Sequence, residues 1–129
     1  MLKKFLPILL LPLLLAGCTS TLTNLSAQRQ SRNADNLYPV EVAFKSSQQS
    51  LRWETIQPYI KVNGQLLPMR PTPLMTNRWE GLIPVPAGAR EVDYQYKLDF
   101  QFYRLDKQFG TPQTDSVRSH TYKLQILDQ

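Results

Sequence analysis

One cysteine and one histidine in 129 residues set the first limits on what this chain does. A lone Cys18 makes no intramolecular disulfide and no cysteine metal site. A lone His120 offers no histidine cluster to a transition metal, and no acidic loop of calcium-binding spacing is present. The five glycines are scattered rather than gathered into a phosphate-binding loop. After residue 17 no window repeats apolar residues at i, i+3, i+4 and i+7, so amphipathic helices are not the scaffold. Charge is thin too: 15 Lys and Arg against 10 Asp and Glu, without a basic stripe, do not describe a nucleic-acid binder. The inventory calls for no cofactor and no metal.

Catalytic groupings are equally sparse. Hydrolysis needs a nucleophile, a base and an orienting group converging in one pocket. His120 lies between Ser119 and Thr121, and Asp115 or Asp128 completes a Ser-His-Asp set only on paper, because nothing in the spacing joins them. Asp93 and Asp99 alternate with apolar neighbours and read as solvated strand positions rather than as a glycosidase pair. The expectation is a non-enzymatic protein with no catalytic residue.

What is present begins at the N-terminus. Lys3 and Lys4 precede an apolar run from Phe5 to Leu15, interrupted by Pro7 and Pro12. A basic start, a short apolar core and small residues at a cut make a secretory signal. The run is also too short for a membrane span of roughly 20 apolar residues. Leu15-Ala16-Gly17-Cys18 resembles the lipobox of bacterial lipoproteins. The resemblance implies cleavage before Cys18, acylation of Cys18 and membrane attachment through that lipid. Thr19 in the following position, by resemblance to the sorting rule of Gram-negative lipoproteins, implies the outer membrane. Cleavage leaves 112 of the 129 residues, enough for one domain, and takes two lysines from the formal charge of +5, leaving +3.

The expected organisation is a signal at 1–17, a lipidated N-terminus and flexible tether at 18–36, and a folded domain at 37–129. Residues 19–36 are mostly Thr, Ser, Asn, Gln, Ala and Arg, with only Leu22 and Leu25 as sizeable apolar groups. Such a stretch buries too little to offset its ordering entropy, and as a flexible chain it reaches roughly 20–25 Å. A brief helix presenting Leu22 and Leu25 is the alternative.

From Leu37 the pattern changes to period two. Val40, Val42 and Phe44 predict one strand; Ile56, Pro58, Ile60 and Val62 predict a second, reached through Trp53. Asn63-Gly64 between apolar runs signals a type I′ hairpin, and Pro68 marks Gln65–Met69 as an edge. Trp79, Gly81, Ile83 and Val85 share a face of the next strand. Val92, Tyr94, Tyr96, Leu98, Phe100 and Phe102 alternate along Glu91–Arg104, the clearest strand in the chain. A long loop from Phe109 to Ser116 and a last strand from Val117 to Leu127 complete the series. Six or seven short strands with Pro and Gly turns predict an all-β, immunoglobulin-like antiparallel sandwich, with a small barrel as the competing architecture.

Asn63-Gly64, Pro68-Met69, the run from Arg78 to Gly88, and Tyr94-Gln95-Tyr96-Lys97 resemble the early-set immunoglobulin-like modules, which include glycogen-binding and isoamylase N-terminal domains. The elements that match are fold-forming, and the resemblance implies the sandwich. Glycan-binding members carry tryptophans ahead of the Pro-Met segment and after the Tyr-x-Tyr-Lys strand; neither Val62–Leu67 nor Leu98–Tyr103 has one.

The candidate binding residues are therefore aromatic. Trp53 and Trp79 stand at strand starts, and Tyr59 and Tyr103 fall opposite the core positions of their strands. Trp53, Trp79 and Tyr103 either stack on a ligand or fill the core. The expected role is a protein-interaction or assembly module of the bacterial envelope, with an unidentified protein partner and no nucleic acid. A carbohydrate-binding module is the alternative.

Overall fold

The computed structural model describes residues 19–103 and 112–128, and these form ten strands and no helix. In order they are β1 Ser20–Asn24, β2 Arg29–Ser31, β3 Leu37–Ser46, β4 Leu51–Val62, β5 Gln65–Pro68, β6 Arg70–Pro71, β7 Arg78–Pro84, β8 Glu91–Phe102, β9 Gln113–Arg118 and β10 Tyr122–Leu127. One sheet has the order β1-β3-β7-β6; the other runs β2-β10-β8-β4-β5, with β9 also paired to β8. This is an immunoglobulin-like sandwich, and the barrel is excluded because the strands separate into two sheets.

Period two builds the core. Tyr38, Val40, Val42 and Phe44 of β3 face Val92, Tyr94, Tyr96, Leu98 and Phe100 of β8, and all nine are buried. Ile60 and Val62 of β4, Trp79 and Ile83 of β7, and Leu124 and Ile126 of β10 fill the remaining space. Gly81 admits a close approach between the sheets: a Cβ there would lie 2.8 Å from Ile60 Cδ1. Asn63 and Gly64, with φ of 51° and 76°, form the anticipated hairpin turn and set β5 on β4. β5 ends its sheet, and the chain then crosses at Met69 so that Arg70–Pro71 joins β7 in the other sheet. Pro68 and Pro71 keep both edges short.

Two expectations are corrected. Residues 19–36 are not a flexible tether ahead of the domain. β1 pairs antiparallel with β3 from Ser20↔Ser46 to Asn24↔Val42, and β2 pairs parallel with β10. The first strand is thus divided between the two sheets, and the sandwich begins at Ser20 rather than Leu37. The physical reason lies in the buried tyrosines of β8, which require polar partners. Asn24 Nδ2 donates to the Tyr94 hydroxyl at 2.8 Å, and the Tyr96 hydroxyl donates to Asn24 Oδ1 at 2.7 Å. The Glu41 amide donates to Ser26 Oγ at 2.7 Å, and that oxygen lies 3.1 Å from the Tyr96 hydroxyl. Small polar residues here are internal hydrogen-bonding groups, and Leu22, two residues before Asn24, packs against the core. Arg32 closes the segment by pairing with Asp128, whose carboxyl is held below its ordinary range chiefly by that hydrogen bond.

The second correction concerns the C-terminal strand. Gln113–Arg118 is already paired with β8, so the expected loop is shorter; its first part, 109–111, lies outside the described residues. Val117–Leu127 is not continuous either. Ser119, His120 and Thr121 interrupt it as a bulge opposite Gln95 and Tyr96. The Tyr96 amide donates to Ser119 Oγ at 2.9 Å, and the Ser119 hydroxyl donates to the His120 carbonyl at 2.7 Å, so the bulge supplies its own partners.

Candidate functional site

The outer face of the β1-β3-β7-β6 sheet departs from the polar pattern expected of a solvated sheet face. Antiparallel register sets Leu37 opposite Pro84, Pro39 opposite Leu82 and Glu41 opposite Glu80. Leu37 and Leu82 are 39% and 50% exposed. The Leu25–Gln30 segment forms one wall over this floor and the Leu67–Arg70 crossing lies along it, giving an open groove of about 1160 Å³. Gln30 Nε2 fixes the first wall by donating to the Pro39 carbonyl at 2.9 Å. The groove changes character along its length. Leucine and proline line the Leu37–Pro84 end, while Glu41 and Glu80 lie at the other. Arg70 pairs with Glu80 at 3.4 Å and is itself 80% exposed, and Thr72 Oγ1 donates to Glu41 at 3.4 Å.

A second concavity lies at one end of the sandwich. β4 loses register with β8 between Arg52 and Gln57, so Trp53, Glu54, Thr55 and Ile56 bulge outward opposite Phe100 alone. Thr55 repairs the gap: its Oγ1 accepts the Gln101 amide at 2.9 Å and donates to the Arg52 carbonyl at 2.6 Å. The bulge carries Trp53 to the rim, 40% exposed, with its ring centroid 5.6 Å from that of Phe44. Trp53 shares a hollow of about 540 Å³ with Lys45, Ser46, Thr76 and Asn77.

The aromatic candidates separate. Trp79 is buried in the core and has no ring face to offer a ligand. Trp53 is accessible but leans on Phe44. Tyr103 is exposed near the same end, with the Arg52 guanidinium 5.3 Å from its ring centroid, so one of its faces is covered. Tyr59 is half-buried, and its hydroxyl donates to Gln57 at 3.1 Å. Cys18 lies outside the described residues.

The groups weighed for catalysis remain apart or engaged. His120 is exposed and stacks 4.2 Å from the Tyr122 ring. Asp128 is held by Arg32, and Asp115 accepts the amide of Ser116. Asp93 and Asp99 are six residues apart on β8, about 20 Å at strand rise, well beyond a glycosidase separation. The Asp99 carboxylate pairs with Lys97 at 3.4 Å.

Sequence reasoning passed over the groove, although its signal was available. Leu37-Tyr38-Pro39-Val40 and Leu82-Ile83-Pro84-Val85 are apolar on both strand faces, whereas a half-solvated strand alternates. Compared with protein-family models, curated proteins and solved structures, the chain matches none.

Proposed function

We propose that this protein is a non-enzymatic lipoprotein of the bacterial outer membrane, anchored through acylated Cys18, whose sandwich binds another envelope protein. The observation that carries the reading is the apolar row on the outer face of the smaller sheet. Leu37, Pro39, Leu82 and Pro84 stand where a solvated face would carry polar groups, and contiguous apolar surface bounded by charge marks protein-binding sites. The partner's chemistry follows from the lining: an extended segment with apolar side chains for the Leu37–Pro84 end and a cationic residue for the Glu41–Glu80 end.

The test is photocrosslinking in intact cells. A benzophenone amino acid at Leu82 is expected to trap one discrete protein, and the same probe at Asp93, on the other sheet, is expected to trap none. Labelling that is equally diffuse at both positions would contradict the reading.

Carbohydrate binding is the second reading, and it draws on the Trp53 hollow. Two of the four polar side chains that line it, Ser46 and Asn77, are already committed, however. Ser46 Oγ lies 3.1 Å from Ser20 Oγ and accepts the Gln48 amide at 3.1 Å, while Asn77 Nδ2 donates to the Phe44 carbonyl at 3.4 Å. A sugar would have to displace these bonds, which ranks the protein partner first.

A further inference from the structure

Thr19 enters the sandwich at a fixed place. Its amide donates to Ser47 Oγ at 2.7 Å, and its carbonyl accepts the Ser47 amide at 2.9 Å. The residue next to Cys18 is thereby stitched to the turn between β3 and β4. Two further segments reach the same end. The Asn77 carbonyl accepts the Phe44 amide at 2.9 Å, and the Tyr103 amide donates to the Ser50 carbonyl at 3.2 Å.

Large apolar side chains concentrate on this rim. Trp53 is 40%, Met75 37% and Tyr103 41% exposed, and Leu74 projects wholly into solvent. Leu74 also has φ of 66°, a left-handed conformation that a leucine adopts only at a cost. Folding therefore gains nothing from burying this side chain, and the loop presents it outward. Neither the core nor the groove accounts for these four residues.

The geometry points to this rim as a membrane-contacting surface, with Leu74 and Met75 entering the acyl region of a phospholipid bilayer and Trp53 and Tyr103 lying at headgroup depth. The inference rests on the proposed acylation of Cys18. Consecutive Cα atoms are about 3.8 Å apart, so an acylated Cys18 would hold Thr19, and with it the rim, against the bilayer. Confinement of that kind raises the effective concentration of the rim at the lipid, and even weak apolar contacts are then occupied. Tryptophan and tyrosine favour the interface because their rings are apolar and their N–H or O–H groups remain hydrated. One orientation results: the strands stand on the membrane, and the Leu37–Pro84 end of the groove is its part furthest from the lipid.

Acylation of the only cysteine also supplies the assay, since any introduced cysteine is then the sole thiol. L74C and L66C proteins are purified in mature lipidated form, labelled with an environment-sensitive fluorophore, and reconstituted into phosphatidylethanolamine–phosphatidylglycerol vesicles. Leu66 is 47% exposed and belongs to the hairpin at the opposite end, so it is the matched control. The expected result is a blue shift at position 74 and loss of most emission when the vesicles carry nitroxide-labelled acyl chains, with neither change at position 66. Protein that floats with the vesicles while the position-74 probe emits as in water overturns the membrane-contact inference and leaves the anchor standing. A blue shift at 74 without lipid quenching also overturns it, in favour of a second copy covering the rim. Protein that fails to float overturns the acylation reading and the inference with it.

Discussion

The Tyr96 hydroxyl donates to Asn24 Oδ1 at 2.7 Å, joining the centre of the core strand β8 to a residue six positions after Cys18. This bond, together with that between Tyr94 and Asn24, makes the N-terminal segment part of the sandwich. It also fixes where the acyl anchor would leave the domain.

Asn24→Ala leaves the Tyr94 hydroxyl without its partner and removes one of three from the Tyr96 hydroxyl, which keeps Ser26 Oγ and the Glu41 carbonyl. A buried unsatisfied hydroxyl costs about 1–3 kcal/mol, so the expected loss in a denaturant melt lies in that range. Thr23→Ala, on the exposed face of β1, should change stability by no more than about 0.5 kcal/mol. Equal, small effects at both positions would restore the tether.

Burial pushes the Tyr96 phenol well above its ordinary range, opposed by the hydrogen bond to Ser26. In the unfolded chain a tyrosine ionises near pH 10, roughly the model-peptide value, while the folded residue keeps its proton. The stabilisation is thus fully present below about pH 10 and is lost as pH rises beyond it. Chemical melts of the wild type should show stability declining from about pH 10 upward. Tyr96→Phe should start less stable and show a shallower alkaline decline; an identical slope would mean that other groups cause it.

Gly81 and Ile60 are expected to be energetically coupled. Gly81→Ala brings a Cβ to 2.8 Å from Ile60 Cδ1, an overpacking worth about 1–3 kcal/mol. Ile60→Val removes that methyl and alone costs about 0.5–1.5 kcal/mol. The double variant should lose less than the sum of the two, as a double-mutant cycle would show. Strict additivity would mean that the sheets relax around the new methyl.

The two tryptophans should behave oppositely. Trp79→Ala opens the core and is expected to cost about 3–5 kcal/mol. Trp53→Ala loses a rim contact with Phe44 and should cost clearly less in the same melts. Isothermal titration of the wild type against a polysaccharide panel is expected to show no binding. Micromolar glycan binding, lost in a stable Trp53→Ala protein, would promote the carbohydrate reading.

Much of the fold was legible because β3, β4, β7 and β8 each bury one face, and burial on one face writes period two into the residues. The Asn63-Gly64 turn was legible for a local reason: both residues tolerate positive φ. β1 and β2 were hidden because the inward residues of β1 and of the segment joining it to β2 include Asn24 and Ser26, whose value depends on tyrosines some 70 positions away. Composition reports that a residue is polar; it does not report that a buried hydroxyl awaits it. The β9–β10 bulge was hidden similarly, since Ser119 takes the place of a ladder partner. Of the candidate site, Trp53 was legible only as an aromatic at a strand start, with core and ligand roles both open. The groove belongs to two strands whose outward apolar residues meet only through the β3–β7 register.

Amide hydrogen exchange along β1, read by NMR on the chain from Thr19 onward, decides whether the proposed anchor would pass directly into the sandwich. In an antiparallel edge strand only alternate amides point at the neighbour. The Leu25 amide donates to the Glu41 carbonyl at 2.9 Å, which fixes the phase. Thr21, Thr23 and Leu25 should be protected, while Ser20, Leu22 and Asn24 exchange fast. Uniform exchange at unprotected rates from Ser20 to Leu25 would contradict the paired strand, and with it the fixed seat proposed for the domain on a membrane.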